Sequence, residues 1–250
     1  MIRIKDVIQL SGKRPIQNLY MYQNKKYKSI IPLNIFQTWY TKTLSEKMLH
    51  AMLEIKRNNP EFKHYLFDDN ECYQFINTYF GPDVSRAYNS LVPGAYKADL
   101  WRYCVLFVHG GIYLDVKYTN IDNFKLIELT EKEHWCLDAN DKDVYNAILV
   151  CKPKNEILLK AIKQIVENVK NKFYGDVNLE PTGPALLSKY FTEEEKKQFV
   201  MKHIVNTENG DVKKVIIFDR QPILKSYTGY YADNKKKHYS TLWLEKKIYL

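Results

Sequence analysis

The first patterned stretch of the chain is YKSIIPLNIFQTWY, a β-rich run in which Pro32 fits a strand start or edge and which closes on Gln37, Thr38 and Trp39. Ser45 then stands as an N-cap before EKMLHAMLEIKRNNP, where Met48, Leu49, Met52 and Ile55 share one helical face and Pro60 ends the helix. KHYLFDDNE predicts a short strand that ends in acids. NECYQFINTYF returns to helical spacing, Gly81 and Pro82 break it, and DVSRAYNSL is a short helix stopped at Pro93 and Gly94. From Ala95 to Val108 the run AYKADLWRYCVLFV is apolar on nearly every face, which predicts a mostly buried helix terminated by Gly110 and Gly111. Ile112, Tyr113 and Leu114 follow as a buried strand. Further on, YNAILVCKP predicts a strand, NEILLKAIKQIVENVKNKF an amphipathic helix, and KKVIIFD a late strand. Strand and helix alternate through most of this order, which predicts a layered α/β fold with a mostly parallel central sheet flanked by helices.

Length supports one domain over residues 1–250, with a polar, basic arm at 1–28, a core at 29–190 and a C-terminal segment at 191–250. No internal repeat or low-complexity linker interrupts it, and the lysine run at 235–237 reads as a loop. Cys72, Cys104, Cys136 and Cys151 lie far apart, without the spacing of a zinc cluster or a disulfide framework. The opening residues are too charged for a secretory signal, and no apolar run approaches a membrane span, so a soluble, cytoplasmic protein is expected. The net charge is +9, which raises nucleic acid as a partner. Only six of the 38 basic residues are arginine, however, and the lysines are scattered; they lack the planar fork that reads bases or clamps phosphate. The excess charge points instead to an anionic small molecule, an anionic acceptor or peripheral contact with a membrane surface.

Candidate chemistry gathers where the buried strand stops. In open α/β sheets ligands bind at the carboxyl ends of strands, and Asp115 occupies such an end. Capping a turn in DVKYTN is the alternative role. Asp99 and Arg102 lie three residues apart on one face of the apolar helix before it. A structural ion pair would explain them, and so would a polyhydroxylated ligand, since a carboxylate and a guanidinium together accept from and donate to sugar hydroxyls.

The run AYKADLWRYCVLFVHGGIYLDVKY resembles the core signature of the Och1-like, DXD-containing sugar transferases of glycosyltransferase family 32, which include capsular-polysaccharide types. IPLNIFQTWY, NPEFKHYLFDD, YNAILVCKPKNEIL and PTGPALL resemble further family segments in the same order. The resemblance implies a GT-A type nucleotide-sugar-binding fold, a UDP- or GDP-sugar donor, a divalent Mn²⁺ or Mg²⁺, and transfer to a glycan, glycolipid or protein hydroxyl with retention of configuration. By motif position, Trp39 would stack on the donor base with Gln37 nearby. Asp99 and Arg102 would hold the donor sugar, and Asp115 would be the first DXD acid, directed at metal and ribose.

Lys117 stands where the second DXD acid belongs, and an ammonium cannot ligate a hard cation. Three readings follow: Asp115 keeps the metal with help from elsewhere, Lys117 itself neutralises the diphosphate, or the site has decayed. Lys117 is then expected to point towards the diphosphate or out to solvent. Help from elsewhere would come from KKKHYSTLWLEKK, in which His238 would complete the metal shell and Trp243 close over the donor, as the resemblance implies. The other five histidines have no comparable setting. A catalytically weakened nucleotide-sugar-binding module and a basic nucleic-acid binder are the alternative functions.

Overall fold

The structure is a computed structural model that describes residues 18–22, 25–208, 211–227, 229 and 236–250. Most of the expected N-terminal arm, residues 1–17, lies outside the described residues, as does Lys235 of the lysine run. The part of the arm that is described forms a hairpin, β1 (Asn18–Tyr22) paired antiparallel to β2 (Lys25–Ser29).

The sheet that carries the site has four strands. β3 (Asn34–Thr38) lies between β4 (Lys63–Phe67) and β5 (Gly111–Leu114), parallel to both, and β8 (Ile148–Cys151) closes the edge antiparallel to β5. Alternation along these strands sorts side chains to two faces. Phe36, Tyr113 and Leu149 join the cluster under the helices, while Ile35, Ile112 and Ile148 join a second cluster on the other face.

The helices form as their local signals direct. α1 (Glu46–Asn58) is capped by the Ser45 hydroxyl, and α2 (Asp69–Tyr79) by a reciprocal Asp68–Glu71 capping box. α3 (Pro82–Ser90) opens on proline, and α4 (Gly94–His109) runs beneath the sheet, buried on most of its circumference. α5 (Glu156–Lys170) packs its apolar stripe against α4, and the short α6 (Pro184–Ser188) and α7 (Glu193–Lys197) follow. Gly110 ends α4 at φ +62°, where a Cβ would sit 2.6 Å from the Pro153 ring. Gly111 opens β5 at φ +123°, where a Cβ would lie 2.6 Å from the Asn34 carbonyl oxygen. The glycine pair thus turns a buried helix straight into a buried strand and aims residue 115 at the sheet's carboxyl edge.

A second sheet departs from the expected architecture. Five strands run in the order β6 (Tyr118–Asn120), β11 (Gln221–Ser226), β10 (Asp211–Phe218), β9 (Met201–Glu208), β7 (Cys136–Leu137), all pairs antiparallel except β7 with β9. Only β10 is foreshadowed by the apolar pattern of KKVIIFD. The chain passes from one sheet to the other between Leu114 and Tyr118. Leu114 of β5 and Tyr118, Met201, Ile216 and Leu224 of the second sheet lie in one apolar cluster. A last helix, α8 (Tyr239–Leu244), follows His238. Among the described residues no helix is long and apolar enough to cross a membrane.

Candidate functional site

Asp99 and Arg102 project from the same face of α4 towards the end of β5, and both are nearly buried, at 6% and 5% exposure. Such groups persist in an apolar interior only when each charge and lone pair is met. Arg102 Nη2 lies 3.2 Å from Asp99 Oδ1, and Nη1 lies 3.7 Å from Asp115 Oδ1. Its remaining donors reach backbone: Nε to the Ala98 carbonyl at 3.1 Å and Nη1 to the Asn146 carbonyl at 2.8 Å. The guanidinium also lies 4.3 Å from the centre of the Tyr113 ring.

Asp99 is held from its other side by two residues far away in sequence. Asn146 Nδ2 donates to Asp99 Oδ1 at 2.9 Å and to the Tyr103 hydroxyl at 2.8 Å. The Thr182 hydroxyl donates to Asp99 Oδ2 at 2.7 Å. Gly183, next in the Thr-Gly-Pro turn, approaches so closely that a Cβ there would lie 3.3 Å from the same oxygen. The PTGPALL segment therefore packs directly on the α4 carboxylate.

Asp115 closes the chain of charges. Its amide donates to the Ala147 carbonyl at 2.9 Å, which extends the β5–β8 ladder by one residue. The Tyr113 hydroxyl donates to Asp115 Oδ1 at 2.8 Å, and the Lys117 ammonium binds Oδ2. Of the two placements expected for Lys117, towards a diphosphate or out to solvent, the second is overturned. The side chain points neither to solvent nor away from the acid; it is 6% exposed, ion-paired to Asp115 and flanked by the rings of Tyr118 and Tyr145 at 5.1 and 5.7 Å. The reason is mutual: a buried ammonium and a buried carboxylate two residues apart on an extended segment each relieve the other's desolvation.

The acids respond in opposite directions. Burial pushes the Asp99 carboxyl above its ordinary range, against the opposing pull of Arg102, Thr182 and Asn146. At Asp115 burial acts the same way but is overcome by Lys117 and then Arg102, which together hold the carboxyl below the ordinary range. Burial also lowers the Lys117 ammonium, with Asp115 opposing the shift.

Two cavities meet at this chain of charges. The smaller, about 130 Å³, runs along Trp39, Tyr40, Asp69, Lys236 and Lys237; the larger, about 420 Å³, along Lys117, Asp138, Tyr145, Asn146, His203 and Lys214. Arg102, Asp115, His238 and Tyr239 line both. Trp39 and His238 are thus placed at the same opening as Asp115. Gln37 is not: its side chain is fully buried, its Oε1 lies 2.8 Å from His64 Nε2, and it lines neither cavity. Trp243 also lies off both cavities, with its indole N–H donating to the Tyr174 carbonyl at 2.7 Å.

The larger cavity contains residues that the sequence reading passed over. His203, on β9, is 3% exposed, and its Nδ1 lies 2.7 Å from Asp138 Oδ1. Its ring stacks flat on Tyr145 at 3.8 Å, and the Tyr145 hydroxyl bonds that of Tyr118 at 2.7 Å. The expectation that the other five histidines have no setting comparable to that of His238 does not hold for His203.

The divalent metal implied for such a site does not fit the residues present. Asp115 offers the carboxylate at the junction, and both of its oxygens already receive donors, one of them an ammonium. Nδ1 of His238 accepts from the Ser240 amide as the cap of α8. Among the described residues no group of three or more His, Cys, Asp or Glu side chains is arranged so that it could hold a metal ion. The shell expected from Asp115 and His238 would place a dication against Lys117, which Coulomb repulsion disfavours.

Residues 45–131 match the glycosyltransferase sugar-binding region containing the DXD motif. The chain is 35% identical over 91 residues to an initiation-specific alpha-1,6-mannosyltransferase of Candida albicans, covering 34% of this chain and 24% of that protein. It is 26% identical over 174 residues to inositol phosphoceramide mannosyltransferase 3 of Schizosaccharomyces pombe, covering 69% and 48%. The chain therefore spans less than half the length of these relatives. Among solved structures it is similar to the PaToxG glycosyltransferase, with a TM-score of 0.47 and 18% identity over 64% of this chain and 67% of that one. Residues 45–131 contain no Asp-x-Asp, and Asp115-Val116-Lys117 closes the buried strand within them. From Ser45 at the cap of α1 to Glu131, and so through Asp99, Arg102, Asp115 and Lys117, the chain is similar to the sugar-binding region of the DXD-motif glycosyltransferases.

Proposed function

We propose that the chain binds a nucleoside-diphosphate sugar across the junction of the two cavities and transfers the sugar to a hydroxyl acceptor. The observation that carries this reading is the continuous sequence Asp99, Arg102, Asp115, Lys117 of alternating charges, nearly buried yet lining the larger cavity, with Arg102 and Asp115 at its junction with the smaller one. Trp39, on the wall of the smaller cavity, offers a face to the base. Asp99 and Arg102 accept from and donate to the sugar hydroxyls. Asp115 meets the ribose or the sugar–phosphate linkage, and Gln37 supports the strand end from beneath. Mannose is the first sugar to test, because both relatives above are named mannosyltransferases. Their names point to different acceptors, so the acceptor is proposed only as a hydroxyl on a glycan, a glycolipid or a protein.

The cavity carboxylates all have partners: Asp69 pairs with Lys236 at 3.3 Å, Asp99 and Asp115 with Arg102, and Asp138 with His203. Asp115, at the junction of the cavities and held below the ordinary carboxylate range by Lys117 and Arg102, is a poor proton acceptor for an incoming hydroxyl. This favours transfer with retention, in which the departing diphosphate takes the acceptor's proton, and the protein supplies position and electrostatics. The test is release of nucleoside diphosphate from a panel of UDP- and GDP-sugars, GDP-mannose included. Asp99→Asn should cut turnover by roughly 100-fold or more. Release from no donor, with a folded protein, refutes the reading.

A further inference from the structure

The third position of the motif raises a quantitative point. Exchanging an aspartate for a lysine changes the local charge from −1 to +1, a difference equal to the whole charge of the divalent cation that the motif's acids would hold. Beside its three carboxylates, Asp99, Asp115 and Asp138, the larger cavity carries two further cations. Lys214, on β10, lines it with Lys117 and Arg102. Two ammonium groups and a guanidinium thus border a cavity large enough for a phosphate group.

Resting on the nucleotide-sugar reading above, we propose that Lys117, supported by Lys214, replaces the divalent cation and makes the site a metal-independent clamp for a diphosphate leaving group. The Lys117 ammonium is paired with Asp115 in the structure. When it turns to a diphosphate, Asp115 keeps the Tyr113 hydroxyl at 2.8 Å and Arg102 at 3.7 Å, so the carboxylate is not left uncompensated. During transfer the bond from the sugar C1 to the phosphate oxygen breaks, with its electron pair going to that oxygen. The acceptor oxygen bonds to C1, and its proton passes to the departing phosphate oxygen. Lys117 and Lys214 hold the charge that gathers there and transfer no proton.

The experiment is calorimetric titration of UDP and of GDP into the full chain, once in excess EDTA and once in excess Mn²⁺. The binding nucleotide should have dissociation constants within about three-fold in the two media, and Lys117→Met should weaken binding in EDTA by about ten-fold or more while Lys117→Arg restores it. Binding at least about ten-fold tighter in Mn²⁺ overturns the proposal and leaves the nucleotide-sugar reading standing. Binding of neither nucleotide in either medium overturns that reading, and this one with it. Should Lys117→Met fail to fold, the wild-type comparison and Lys214→Met still decide: Lys214→Met should weaken binding in EDTA several-fold, and unchanged affinity there refutes the role of the pair.

Discussion

Replacing Arg102 with methionine keeps much of the side chain's apolar volume and deletes the charge that two carboxylates share. Asp115 retains Lys117 and Tyr113, so the burden falls on Asp99, which is left with only the neutral donors of Asn146 and Thr182. Removing one partner of a buried pair costs about 3–5 kcal/mol, and the orphaned Asn146 carbonyl adds roughly 1 kcal/mol. The expected loss is about 4–6 kcal/mol at neutral pH, a large share of the roughly 5–15 kcal/mol that holds a domain folded. Asp99→Asn should cost only about 2 kcal/mol, since the amide keeps the shape and gives up a charged contact. In the double variant no carboxylate is orphaned, so its cost should fall short of the sum by at least about 2 kcal/mol. Urea denaturation of the four proteins reads this cycle directly. The penalty of Arg102→Met should also shrink as pH is lowered, because the orphaned carboxyl escapes it by taking a proton. Additivity within about 0.5 kcal/mol, or a single-variant cost below about 1 kcal/mol, would refute the charge-sharing account.

Three further outcomes are expected. Trp39→Ala should raise the dissociation constant of the bound nucleotide roughly ten-fold in calorimetry and leave turnover at saturation near wild type, whereas unchanged affinity removes Trp39 from the base site. Gly111→Ala, with its Cβ forced 2.6 Å from a backbone oxygen at φ +123°, should lose roughly 3 kcal/mol or more in urea denaturation; a cost under about 1 kcal/mol would mean the strand shifts freely. Burial lowers the His134 and His64 imidazoles to about 4, so both are neutral in the fold and protonate more readily when unfolded. Their contribution is complete above about pH 6.5 and is lost as pH falls towards 4, by up to about 3 kcal/mol each. His134→Leu should flatten part of that slope, and an unchanged slope would exclude His134 as a source.

Helix α4 and strand β5 were readable because their signals are local: an all-round apolar segment, two glycines at its end, and an acid where the run stops. Asp99 and Arg102 stood out for the same reason, as charges in an apolar context. Asn146, Thr182 and His203 did not, because each reaches the site through contacts 44 to 83 residues away in sequence or from a strand whose neighbours are ordinary. The second sheet was largely hidden because β9 and β11 mix exposed polar positions with few buried ones and owe their pairing to β10 between them. Lys117 was seen, but its burial was not. Periodicity put it on the side of Asp115, and only the geometry shows that the two neutralise each other.

The passage from β5 to β6 has an evolutionary consequence. Asp115, Val116 and Lys117 are all that separate a strand locked to β3 and β8 from a strand locked to β11, where Tyr118, Thr119 and Asn120 face Ser226, Lys225 and Leu224. An insertion or deletion of one residue there would turn Tyr118 out of the core and break register with β11, since a one-residue slip inverts every side chain of a strand. Lineages descending from such a chain can therefore explore this corner only by exchanging one side chain for another at fixed spacing. A charge reversal at position 117 is the kind of large chemical step that such a frame permits without any backbone rearrangement.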